Sequence, residues 1–255
     1  MISSSKKFHF GIALFCLKVL LFLPLLAANV QASNLSIPTQ LTSNDRSRIL
    51  EILGYGSGSR ILSIPYALGG ESGIEIGLGY QSLPTSQLST LGSKTQLQDD
   101  FGFFTIEMAK GLYNNLDFSL QAAPFFQEDI SHYGAQIRWT FFESKNFPAS
   151  WMSVVHFSNS QFRSQITTQT TGIDFVGSVF SNGFVVYGGL GSVRTQGQFI
   201  GGAYGITSSQ STESEITGTI HFLGGVSFFI KKYFASIQMD KMQDNFYAVK
   251  IGQRW

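Results

Sequence analysis

The sequence predicts an all-β protein, a transmembrane antiparallel up-and-down β-barrel of about ten strands behind a short N-terminal helix. Three observations predict it. From Ile74 to the last residue, apolar and polar residues alternate with the period of a strand. The connections between the alternating runs switch between tight turns and long polar stretches. Charged residues make up only 13% of the 255, and aromatics 14%, where an ordinary soluble domain carries roughly 25% charge.

The chain opens on an address. Lys6 and Lys7 form a basic start, Phe10 to Ala28 an apolar stretch broken by Lys18, and Val30-Gln31-Ala32 a small-residue cleavage site. Residues 1–32 therefore read as a secretory signal peptide, with Ser33 opening the mature chain. Lys6, Lys7 and Lys18 leave with it and no acid does, so 17 basic residues become 14 against 16 acidic ones, a net charge of −2. That balance offers no general field for nucleic acid. Cys16 is the one cysteine and leaves too, so neither a disulfide nor a cysteine metal site is expected.

Residues 33–73 read as a periplasmic lead-in. Residues 43–54 form a short helix capped by Ser43 or Asn44, with Ile49, Leu50 and Leu53 on one face and Gly54 at its end. The alternative is that this helix plugs the barrel lumen. Residues 55–73, rich in Gly and Ser, suit a turn or loop. If 48–67 supplied one more hairpin, the strand count would be twelve.

The barrel is expected over 74–255. Its first run places Ile74, Ile76, Leu78 and Tyr80 on one face and Glu75, Gly77 and Gly79 on the other. Runs near 104–108, 116–122, 133–141, 149–159, 173–179, 184–194, 219–230, 233–240 and 247–255 repeat the alternation. Asn114-Asn115, Ser181-Asn182-Gly183 and Lys231-Lys232 read as tight hairpins. Residues 82–100 and 195–216 read as long external loops. An even strand count, short turns at one end and longer loops at the other are the pattern of a membrane barrel, with both termini on the turn side. In hydrocarbon such a wall must close, because every backbone polar group has to be paired. Apolar residues then face lipid and polar ones the lumen.

The lumen face gathers Glu75, Glu107, Asp117 and Asp174 with Arg138, Lys250 and Arg254. They line either a selective pore or a packed, hydrogen-bonded interior. Small barrels are filled by side chains, which favours the second. The histidines His132, His156 and His221 show no metal-ligand spacing, so no metal and no cofactor are expected.

Two resemblances add to this reading. Tyr247, Val249, Ile251 and Trp255 alternate to an aromatic carboxy-terminal residue. They resemble the terminal-strand signature of bacterial outer-membrane barrel proteins, although Gln253 stands where that signature carries an apolar residue. The resemblance implies a Gram-negative outer membrane, with its lipid and the barrel-assembly machinery as partners. His156-Phe157-Ser158-Asn159 resembles the His-x-Ser-Asn motif of outer-membrane phospholipase A and lipid A deacylase. It implies Ser158 as nucleophile and His156 as base on a lipid-facing wall; the residues themselves leave the facing open, since Trp151, Val155 and Phe157 turned outward would put both in the lumen. Ser160-Gln161-Phe162 follows where those families continue toward Gly. The function expected first is a structural or surface-interaction role through the external loops, with a narrow small-solute channel or a lipid hydrolase as alternatives. The ligand is not legible.

Overall fold

A computed structural model describes residues 35–255 except 59, 64 and 145–147. The expected signal peptide lies outside the described residues. Among the described residues there are ten strands. They are β1 (Ile74–Pro84), β2 (Asp100–Tyr113), β3 (Leu116–Ala122), β4 (Ile130–Glu143) and β5 (Ala149–Phe162), then β6 (Ile166–Ser181), β7 (Phe184–Phe199), β8 (Glu213–Ile230), β9 (Tyr233–Lys241) and β10 (Asn245–Arg254). Each pairs antiparallel with its sequence neighbours, and β1 pairs with β10 from Glu75↔Arg254 to Ser82↔Tyr247, which closes the barrel. Closure leaves no unpaired strand edge. Among the described residues of 48–67 no strand forms, so the count among the described residues is ten rather than twelve.

The facing follows the alternation. Ile106, Ile137, Val155, Phe175, Leu190 and Ile237 stand exposed on the outside, and Ile220 and Phe222 are 67% and 63% exposed. Their neighbours Glu107, Arg138, His156, Asp174 and His221 are buried inside. This is the reverse of a water-soluble barrel, whose apolar residues fill the interior.

The two ends differ. At one end, β2–β3, β6–β7 and β8–β9 are joined by tight turns, with Gly183 (φ +84°) and Lys231 (φ +58°) in the left-handed region. Exposed Trp139, Phe141, Trp151, Phe184, Ile230 and Tyr233 crowd this turn end. At the other, loop end, the walls of β6 and β7 continue beyond the apolar belt with Gln169, Thr171, Arg194, Gln196 and Gln198 pointing outward.

That extension corrects the expected loops. β7 runs on to Phe199 and β8 starts at Glu213, so the connection is 200–212 rather than 195–216, and the first connection is 85–99 rather than 82–100. β5 and β6 likewise reach Phe162 and Ile166, leaving only three residues between them. Polar residues on both faces erase the alternation there, although the ladder from Gly191↔His221 to Phe199↔Glu213 is unbroken.

The N-terminal helix, α1 (Ser43–Ile49), is capped by Thr42 rather than Ser43 or Asn44. Thr42 N donates to the Asp45 carboxylate (3.0 Å), and Asp45 N donates back to Thr42 Oγ1 (3.4 Å), a reciprocal capping box. Gly54 does not end the helix, which continues as a π-helical stretch over Leu50–Gly54 and one further short turn. No helix among the described residues is long and apolar enough to cross a membrane.

Candidate functional site

The segment expected as a lead-in lies inside the barrel. From α1 to Leu68 it descends from the loop end to the turn end. At the loop end Leu50, Leu53 and Tyr55 join the strand residues Leu83, Phe101, Phe103, Phe162, Phe199 and Phe246 in one apolar cluster. Glycines make the fit possible. A Cβ on Gly197 would lie 2.2 Å from Leu50 Cδ2, and one on Gly54 2.4 Å from Thr195 Cγ2.

Lower down, the contacts become polar and reach strands around the whole ring. Thr170 Oγ1 donates to the Gly54 carbonyl (3.1 Å), and Ser160 Oγ to Ser57 Oγ (2.9 Å). Gln136 Nε2 donates to the Arg60 carbonyl (2.6 Å), and Ser227 Oγ to that of Ser63 (3.3 Å). Ser150 and Ser178 donate to the Pro65 carbonyl at 3.0 and 3.3 Å. Leu68 N donates to Asp117 Oδ2 (3.0 Å). A chain without regular structure carries free backbone donors and acceptors. The small hydroxyls of the inner wall satisfy them, as burial requires.

The expected lumen charges divide into two groups. In the first, Lys250 Nζ lies 2.8 Å from Glu75 and 2.9 Å from Glu107. Arg254 Nε reaches Glu75 (3.1 Å) and Arg138 Nη2 reaches Glu107 (2.8 Å). Ser63 of the threaded segment also donates to Glu75 (2.6 Å). Asp117 and Asp174 bond elsewhere, Asp117 to the Leu68 backbone and Asp174 to histidine. The interior is packed and paired. Glu75, Glu107, Arg138, Lys250 and Arg254 each have an opposite charge at hydrogen-bond distance, the condition under which burying them is tolerable, while Asp117 is held by a backbone donor.

The second group was not legible as a group. His221 Nε2 lies 2.8 Å from Asp174, and His221 Nδ1 3.5 Å from Asp240. Asp240 in turn pairs with Arg60 and accepts from Gln238 (3.0 Å). Arg60 and Asp240 are 180 residues apart, so no spacing rule joins them. A cavity of about 10 Å³ among Tyr55, Arg60, His156, Asp174, His221 and Asp240 has room for one water, not a passage.

His156 and Ser158 face this lumen, at 4% and 1% exposure, while Trp151, Val155 and Phe157 face outward. Of the two phases the sequence leaves open for this strand, the one with the larger apolar side chains outside is observed, which departs from the lipid-facing placement that the motif resemblance implies. Neither ring nitrogen of His156 has a hydrogen-bond partner among the described residues, and Ser158 Oγ has none. His156 Nε2 stands 3.5 Å from Asp174. Asn159 points to the other side of the wall, half-buried. The three residues thus form no nucleophile–base pair. Ser158→Ala should leave the membrane lipid profile unchanged and unfolding in urea equal or slightly harder, since a buried hydroxyl without a partner costs about 1–3 kcal/mol. A changed lipid profile would restore the hydrolase reading.

On β10, Tyr247, Val249 and Ile251 are exposed on the outer face, while Trp255 closes the ring through Trp255 N to the Ile74 carbonyl (2.8 Å). Among the described residues no group of three or more His, Cys, Asp or Glu is arranged to hold a metal ion.

No family model matches the chain, and no curated protein is similar to it in sequence. Similar solved structures include the attachment invasion locus protein Ail of Yersinia pestis in complex with the heparin analogue sucrose octasulfate. It is 14% identical, with 72% of this chain and 98% of that one covered, at a TM-score of 0.33. The N-terminal β-barrel domain of Pseudomonas aeruginosa OprF is 10% identical over 73% and 99%, at 0.33. The outer membrane protease OmpT of Escherichia coli is 8% identical over 71% and 95%, at 0.39. These chains are similar to this one at TM-scores below 0.5, and the closed ten-strand barrel stands on its own strand pairing.

Proposed function

We propose that this chain is a Gram-negative outer-membrane barrel, closed by its own N-terminal segment, that works at the cell surface through its loop end. The observation that carries the reading is the inverted wall. Its outside is an apolar belt fit for lipid, and its inside is occupied by the N-terminal segment, packed in an apolar cluster at the loop end and in polar contacts below it. Lipid is the solvent that accepts such an outside. In this reading the longer connections are external, as is usual for such barrels. The alternating Tyr247, Val249, Ile251 and terminal Trp255 are the segment that assembly machinery would recognise.

A filled lumen favours surface interaction over conduction. The longer connections carry large apolar side chains that none of the described residues covers. Phe125 and Tyr204 are 101% and 95% exposed, with Leu97 and Phe126 also exposed. Loops on a rigid scaffold are where binding residues concentrate. Two measurements test the proposal. The full chain should fractionate with the outer membrane and show heat-dependent gel mobility. In planar bilayers it should be electrically silent, and stepwise conductance from the intact chain would return the channel reading.

A further inference from the structure

The threaded segment has a direction. Leu35 N donates to Asp129 Oδ2 (3.0 Å), and the Leu35 carbonyl accepts from Arg163 Nη1 (2.9 Å). Asp129 and Arg163 lie in the β3–β4 and β5–β6 connections. Ser93 N, in the β1–β2 connection, donates to the Thr39 carbonyl (2.8 Å). Leu41 N donates to the Ile206 carbonyl (2.9 Å) in the β7–β8 connection, and Ser208 N donates back to Leu41 (3.1 Å). In α1, Arg46 pairs with Glu215 (2.7 Å), and Arg48 with Asp244 (2.6 Å) in the β9–β10 connection. Residues 35–48 thus engage all five loop-end connections. By Leu68 the chain has reached Asp117 beside the β2–β3 turn, and β1 begins at that end.

We infer that the chain passes once through its own barrel, so that residues 35–44 form part of the external surface while the C-terminus stays on the periplasmic side. The expectation from sequence was the opposite, with both termini at the turn end. The working surface is then composite, the longer connections bound together around an N-terminal strap. The strap presents exposed Gln40, Thr42, Ser43 and Asn44 to the medium. This rests on the outer-membrane reading above and on its assignment of the loop end to the outside.

Single-cysteine labelling tests both separately, in a Cys16→Ser background that removes the one native cysteine. Asn44→Cys on the strap, Tyr204→Cys in the β7–β8 connection and Lys232→Cys in the β8–β9 turn are treated in intact cells with a membrane-impermeant maleimide. All three positions are exposed. The expected result is that Asn44→Cys labels as strongly as Tyr204→Cys, and Lys232→Cys only after permeabilisation. If Tyr204→Cys labels and Asn44→Cys does not, the inference is overturned and the outer-membrane reading stands. If only Lys232→Cys labels, the orientation falls. If all three label, or none, the outer-membrane reading falls. A second measurement reads the threading itself. Ser57→Cys with Ser160→Cys, whose native Oγ atoms are 2.9 Å apart, should form a disulfide in the folded protein. A folded barrel that leaves both thiols free under oxidation overturns the passage through the lumen.

Discussion

Lys250→Met should be the most damaging single substitution in the lumen, lowering stability by about 3–5 kcal/mol, the usual cost of removing one partner from a buried ion pair. Lys250 is 1% exposed and holds Glu75 and Glu107 at 2.8 and 2.9 Å. Without it two carboxylates remain in a space closed to water, each keeping one arginine, Arg254 at Glu75 and Arg138 at Glu107. The measurement is the urea midpoint of the heat-modifiable band in lipid or detergent. Adding Glu107→Gln to Lys250→Met should deepen the loss rather than recover it, because the second change leaves the buried Arg138 without its carboxylate. Coupling of this kind is expected for side chains in direct contact. An unchanged midpoint for Lys250→Met would show that the group contributes no stability as an ion network.

Gly54→Val combined with Gly197→Val should unseat the threaded segment and raise conductance in planar bilayers above that of the unaltered chain. The two glycines let opposing surfaces meet. A Cβ at Gly54 on the segment is 2.4 Å from Thr195 of the wall, and a Cβ at Gly197 on the wall is 2.2 Å from Leu50 of the segment. Overpacking of this kind costs about 1–3 kcal/mol per site. The ladders that close the barrel are untouched, so the relief falls on the segment rather than on the wall. Planar-bilayer recording of folded, heat-modifiable protein is the readout. Persistent silence together with unchanged stability would mean that the segment is not held at these glycines.

The wall was legible before the structure because a strand with one apolar and one polar face must alternate. Ile74 to Tyr80 and Tyr133 to Phe141 could be assigned a face residue by residue. The inward placement of Glu75, Glu107, Asp117, Arg138, Asp174, Lys250 and Arg254 follows from the same rule. The rule failed where both faces are polar. Gln196 and Gln198 stand on strand β7 outside the belt and gave no apolar signal, so the upper wall read as loop. The four-residue match at His156-Phe157-Ser158-Asn159 left its facing open for a related reason. A motif records neighbours along the chain but not which side of the wall they occupy.

Sequence by itself determined the strand-built wall, its even count, its apolar outside and the charges it turns inward, since these depend on local period and on turn residues. Only the tertiary structure decided what fills the barrel and which way that filling runs. Nothing in Ser57, Arg60, Ser63 or Pro65 marks a lumen strap, because their partners Ser160, Asp240, Glu75 and Ser150 come from strands far along the chain. Ring closure brings those strands around one axis, and the unpaired backbone of an irregular segment finds its hydrogen bonds there.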